Sequence, residues 1–193
     1  MPPDLICGQC VRVPPVYERA RCGLEYEFPA DELIRSIKYR AALHWIPPLA
    51  SSASAEFNAL LDGYQPEDVC LVPVPLHRRK ACQRGFNQAA AIALALAAPR
   101  RFAVESQLLF RAKATRPQAA LAPESRRENM REAFVADQGR LERLRRKRSV
   151  SIIVLIDDVM TTGATADECT RALKAADPAL TVLAFALARK SQC

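Results

Sequence analysis

No apolar stretch in this sequence reaches the roughly 18 residues that a membrane-spanning helix needs, so no membrane insertion is expected. Its first residues, Met1 to Asp4, lack the basic and apolar regions of a secretory leader, so a cytoplasmic location is expected. It has no internal repeat. It has no glycine-rich loop ending in Gly-Lys-Ser or Gly-Lys-Thr either, so a P-loop ATPase is disfavoured. Aromatic residues are scarce at 6%. None stands in the most basic tract, which counts against a surface built to stack successive unpaired bases. The seven cysteines are odd in number and irregular in spacing, so no disulfide framework is expected.

What is present fits one α/β domain with a small appendage, since the chain has 193 residues and half of them are hydrophobic. The formal charge of +7 favours polyanionic ligands, nucleotides or nucleic acid, although a solvated arginine-rich surface would give the same excess. Residues 1–30, rich in Pro and Cys, read as a small non-helical N-terminal segment, with a strand at Glu25–Phe28; residues 31–193 read as the main domain. Asp31 is placed to cap a helix through Tyr39. Pro47 and Pro48 suit the first turn of a helix running to Leu61. Val69–Val74 reads as a buried strand, Phe86–Ala97 as a helix rich in Ala and Leu, and Phe102–Val104 as a short strand. Residues 111–132 are too polar for a core and read as a surface excursion. Arg140–Arg148 reads as a solvated basic linker or a nucleic-acid contact. Cys70 and Cys169, inside apolar segments, are expected to be buried. Val150–Ile156 is a continuous aliphatic run, a helix is expected from Ala166 to Ala176, and Thr181–Leu187 is a second buried strand. That succession predicts a βαβ unit and a parallel sheet.

The segment Val154–Thr165 carries the chemistry. Asp157 and Asp158 end a buried strand, where open α/β sheets bind ligands. Two adjacent carboxylates there need a cation, hydroxyl donors or solvent. The following Thr161, Thr162, Gly163, Ala164 and Thr165 have small side chains that leave backbone N–H groups accessible, and Gly163 permits a turn that other residues resist. Thr165 to Glu168 has the form of a capping box, which predicts a helix start at Thr165. A loop that delivers a helix N-terminus suits a monophosphate. A diol beside a terminal phosphate describes ribose 5-phosphate.

This segment resembles the 5-phosphoribosyl-1-pyrophosphate (PRPP) signature of type I phosphoribosyltransferases. Further stretches narrow the resemblance to the ComF family (ComF/GntX) of competence-associated phosphoribosyltransferase-like proteins. They are Leu33–Tyr39, Leu71–His77, Arg84–Gln88, Thr115–Gln118 with Leu121, Arg126–Asn129, and Ala133 with Phe134. The resemblance implies a type I phosphoribosyltransferase-like fold, a twisted and mostly parallel sheet flanked by helices, with a Cys-containing N-terminal hood. It implies that Asp157 and Asp158 serve the ribose in catalysis, that Thr161–Thr165 hold the 5-phosphate, and that Arg78, Arg79 and Lys80 are candidates for the pyrophosphate, with Mg²⁺ on the pyrophosphate and ribose oxygens. Arg84, Asn87 and Gln88 then support the loop after the first core strand or touch the ligand. Gln118, Arg126 and Asn129 belong to a mobile loop.

The family commonly carries more N-terminal cysteine pairs that form zinc knuckles. Here only Cys7 and Cys10 remain, with Cys22 nearby, and a closed zinc site takes four ligands. Two functions follow from the resemblance. One is phosphoribosyl transfer to an acceptor that the sequence does not name. The other is a non-catalytic sensor of PRPP or a nucleotide that works in DNA uptake with single-stranded DNA or a helicase-like competence partner.

Overall fold

A computed structural model of the chain describes residues 8–76, 82, 84–112 and 133–190. Its centre is a five-stranded sheet of order β1-β7-β6-β2-β3. The strands are β1 (Arg19–Glu25), β2 (Val69–Pro73), β3 (Ala103–Val104), β6 (Ile152–Met160) and β7 (Thr181–Arg189), and every pairing is parallel. Two further strands, β4 (Leu109–Arg111) and β5 (Phe134–Ala136), form a separate antiparallel pair. The fold is α/β of the type I phosphoribosyltransferase-like kind, a parallel sheet flanked by helices.

The aliphatic run in β6 explains the layering. Alternate residues of a strand point to opposite faces. Ile152, Val154 and Ile156 join one apolar cluster; Ile153 and Leu155 join another. The first cluster is closed by α2 (Ala30–Arg40), α3 (Ile46–Ser52), α4 (Ser54–Leu60) and α5 (Gln88–Ala97). The second is closed by α7 (Ala164–Ala176), by Leu141 of α6 (Gln138–Lys147), and by Leu109 and Phe134 of the antiparallel pair. Cys70 and Cys169 lie buried in this second layer, as expected of small apolar side chains.

Several local expectations are corrected. The strand placed at Glu25–Phe28 lies instead at Arg19–Glu25, because β7 is long enough to pair with that whole stretch. It is an edge strand of the main sheet, and α1 (Gly8–Arg12) precedes it, so the segment expected to be non-helical contains a short helix. The helix expected from Pro47 to Leu61 is two, α3 and α4, meeting at the fully buried Ala53. Asp31 does not cap α2: Pro29 precedes the helix and makes no side-chain cap. Asp31 and Glu32 lie inside the first turn and Lys38 and Arg40 in the last, both favourable to the helix dipole. The tract Arg140–Arg148 is mostly helix, not linker. Asp137 Oδ1 accepts from Arg140 N at 2.9 Å, and Leu141 and Leu144 pack on the core one turn apart. β6 runs past the aliphatic residues to Met160, because β7 continues to pair with it as far as Arg189.

Candidate functional site

The strand order locates the site before any side chain is considered. β2 leads through α5 to β3 on one side of it. β6 leads through α7 to β7 on the other side. The two connections therefore part between β2 and β6, and their helices cover opposite faces. That is the switch point of an open α/β sheet, and ligands bind at its carboxyl edge. The β2–β6 pairing ends at Pro73 and Ile156, so Asp157 and Asp158 are the next residues at that edge.

Asp158 turns toward α2 and α5. Its Oδ2 accepts from Gln88 Nε2 at 3.2 Å and pairs with Lys38 Nζ at 3.0 Å. Asp157 faces the other layer. Its Oδ1 accepts from the Asp158 N–H at 2.8 Å. The carboxyl is enclosed although the residue keeps some exposed surface. Burial pushes it up to about 7, the charge of Asp158 adds to this, and the Asp158 N–H and Lys38 oppose it. Burial likewise lowers the proton affinity of the Arg111 guanidinium, and electrostatic interaction with the Cys169 and Asp157 side chains works against that. The two acids are thus distinct. One is held by a cation and an amide, the other is enclosed and biased toward its proton.

The loop behind them ends at Gly163, whose φ of +77° is left-handed and favours glycine. α7 begins at Ala164, with Asp167 N donating to Gly163 O at 2.9 Å. The capping box at Thr165 is therefore not formed; Gly163 holds the cap position, and no side chain caps the helix. Thr162 Oγ1 accepts from Ala164 N at 3.4 Å, and Thr161, Thr162 and Thr165 are half-buried. The first-turn N–H groups of a helix have no intrahelical acceptor, so the loop presents donors and hydroxyls together.

The N-terminal segment encloses this loop. A Cβ on Gly163 would stand 2.8 Å from the Tyr17 hydroxyl oxygen. Val16 N donates to Asp167 Oδ1 at 2.8 Å, and Glu18 accepts from Val182 N and Lys174 Nζ. Burial, then the charge of Asp167, raises the Tyr17 hydroxyl well above its ordinary range, so it stays a protonated donor. Tyr17 could not be assigned to the site from the sequence, since no local pattern marks it, and although Lys38 stands in the Leu33–Tyr39 stretch, nothing there links it to Asp158 more than a hundred residues away.

The remaining expected residues divide. Asn87 caps α5, with Oδ1 accepting from Ala89 N at 3.0 Å, and its Nδ2 donates to Val74 O at 3.1 Å. It thereby fixes the exit of β2 to the helix. Gln88 is 3% exposed and meets Asp158 directly. The Arg84 guanidinium lies 5.5 Å over the Tyr39 ring. Arg78, Arg79, Lys80, Gln118, Arg126, Asn129 and Cys7 lie outside the described residues. Cys10 and Cys22 both act electrostatically on Tyr17, and burial pushes the Cys22 thiol up to about 11. Among the described residues no group of three His, Cys, Asp or Glu side chains is placed to hold a metal ion. No helix among them is long and apolar enough to cross a membrane.

The sequence has relatives among known proteins. The chain is 31% identical over 172 residues to DNA utilization protein YhgH of Salmonella typhi, covering 89% of this chain and 72% of that protein. It is 31% identical over 178 residues to DNA utilization protein YhgH of Escherichia coli (strain K12), covering 88% and 71%. It is 27% identical over 172 residues to Competence protein F of Haemophilus influenzae, covering 87% and 72%. No family model matches the chain.

Proposed function

The chain belongs to the ComF family, and from that premise we propose that it binds PRPP with Mg²⁺ at the carboxyl edge between β2 and β6 and transfers the phosphoribosyl group to an acceptor. The observation that carries this reading is the succession at one switch point: paired acids, a threonine-bearing loop, Gly163, and a helix start. Asp157 and Asp158 accept from the ribose hydroxyls and favour the positive charge that develops on the ring as the C1–O bond to pyrophosphate breaks. The bond from C1 to the acceptor nitrogen replaces it, and the protein works mainly by position and charge. Thr161, Thr162, Gly163, Ala164 and Thr165 hold the 5-phosphate. Arg78, Arg79 and Lys80 hold the pyrophosphate, and Gln118, Arg126 and Asn129 close over it.

The carboxylate and hydroxyl oxygens here suit a hard cation, and Mg²⁺ is usually carried in on phosphate oxygens. When bound it would neutralise the pyrophosphate. Zinc at Cys7, Cys10 and Cys22 would need a fourth ligand; metal analysis of protein purified without added zinc tests that assignment. Relatives carry the names DNA utilization protein and Competence protein F, and we place this chain in DNA uptake on that ground.

A second reading keeps the ligand and drops the chemistry: a PRPP- or nucleotide-sensing module that acts with single-stranded DNA or a helicase-like partner. The basic last turn of α6, with Arg145, Arg146 and Lys147, favours it. Calorimetric titration of Mg²⁺·PRPP into the wild type and into Asp157→Asn/Asp158→Asn tests the site; the wild type binds and the double variant binds far more weakly. Equal affinities remove the assignment. Mg²⁺-dependent pyrophosphate release across nitrogen acceptors separates the two readings, because a sensor stays silent with every acceptor. Anisotropy with labelled single-stranded DNA at low salt tests the DNA contact.

A further inference from the structure

Lys38 stands in the last turn of α2, on the flank between the buried Ile34 and Ile37 and the solvent face. Its side chain is 19% exposed, and it spans from a helix near the start of the chain to an acid on the central strand. An ammonium carries three N–H donors. Asp158 Oδ2 is the one acceptor that the described residues give it, and Gln88 Nε2 already occupies the same oxygen. Holding Asp158 therefore uses only part of what Lys38 offers. Gln88 Oε1 is buried and has no hydrogen-bond partner among the described residues, so the cluster as it stands is incompletely satisfied.

We infer that Lys38 is a bridging residue of the site: it fixes Asp158 for a sugar hydroxyl and gives its remaining protons to the pyrophosphate on the neighbouring carbon. The inference rests on the reading of Asp157 and Asp158 as the ribose site and goes beyond it by assigning leaving-group recognition to α2. The chemistry of the ligand supplies the geometry. In PRPP the pyrophosphate is on C1, and the first sugar hydroxyl is on C2. A cation held on the carboxylate that reads the hydroxyls is thereby beside the leaving group. Charge gives the same direction. Two carboxylates alone would repel a polyanion, and Lys38 cancels one of them while remaining within reach of the ligand. A compact ammonium suits this shared position, since it can turn its donors to two acceptors at once.

The test compares two ligands by calorimetry, Mg²⁺·PRPP and ribose 5-phosphate, on wild type, Lys38→Met and Lys38→Arg. Lys38→Met is expected to weaken PRPP on the order of 10- to 100-fold and ribose 5-phosphate by no more than about threefold, since only the former has a pyrophosphate to lose. Lys38→Arg, which keeps the charge, is expected to retain the preference for PRPP over ribose 5-phosphate to within about threefold of the wild type, so the test survives if Lys38→Met does not fold. Equal losses for both ligands mean that Lys38 only shapes Asp158, and they overturn the inference. Unchanged binding in Lys38→Met overturns it as well. A wild type that binds neither ligand removes the ribose reading itself, and the inference falls with it.

Discussion

Asp157→Asn should make the protein more stable, and increasingly so as pH rises from about 4 to above 7. Asparagine keeps the size of the side chain and the oxygen that accepts from the Asp158 N–H. It removes the ability to ionise and puts an NH2 donor in place of the other carboxyl oxygen. The Asp157 carboxyl is raised from 3.8 to about 7, by burial first and then by the charge of Asp158. Between those two values the unfolded chain has given up its proton and the folded chain has not. Folding then takes up a proton, so stability falls as pH rises through the window and levels off above about 7. The full difference corresponds to about 4 kcal/mol at 1.36 kcal/mol per tenfold in proton affinity. Relaxation of Lys38 and entry of water are expected to leave roughly half of it, ~2 kcal/mol. Denaturant unfolding of wild type and Asp157→Asn at pH 4, 6 and 8 reads this directly. The variant should match the wild type to within ~0.5 kcal/mol at pH 4 and exceed it by ~2 kcal/mol at pH 8, a rise in Tm of roughly 4–8 °C. A gap that does not grow with pH, or a variant less stable at pH 8, refutes the argument that this carboxyl is held in an unfavourable place. Stability stored against function at a binding site is a familiar trade.

Two substitutions test the contacts that shape the edge. Gly163→Ala places a Cβ 2.8 Å from the Tyr17 hydroxyl at a left-handed φ; a loss of ~2 kcal/mol is expected, falling to ~1 kcal/mol in a Tyr17→Phe background, where the backbone strain remains and the collision does not. Chemical melts of the four proteins measure it, and an undiminished loss in the Phe background argues that the two residues do not touch. Gly23→Ala would bring a Cβ to 2.2 Å from Ala53 Cβ and 2.9 Å from its Cα; β1 and the α3–α4 junction must separate, a loss of ~3 kcal/mol or no soluble protein. A variant of wild-type stability shows that the junction yields freely.

The sheet was legible where apolar residues run together. Val150–Ile156 reads as a doubly covered strand because both of its faces are in fact buried. The strand's last four residues were not legible, since Asp157 and Asp158 have low strand propensity and only the pairing with β7 holds them extended. Thr165 misled because a capping-box pattern states a preference, while Gly163, two residues earlier, takes the turn at lower cost. In α6 the signal was present, with Asp137 ahead of Leu141 and Leu144 at helical spacing, but it was outweighed by the arginines around it. The acid pair and the loop were recognisable because they are contiguous. Lys38 and Tyr17 were not, because their partners are fixed by the strand order and not by neighbours in sequence.

That strand order also sets a timetable for synthesis. The inner strands β7 and β6 are made after β1, β2 and β3, which must flank them. As the chain leaves the ribosome, its early strands wait with unpaired edges until Ile152–Arg189 emerges and threads between them. A nascent chain halted before β6 holds Lys38, Tyr17 and Gln88 in hand yet has neither the acids nor the Gly163 loop for them to meet. Such late closure of distant pairings is slow and leaves sticky edges exposed, so the cell's folding helpers have most to do for this protein just before its translation ends.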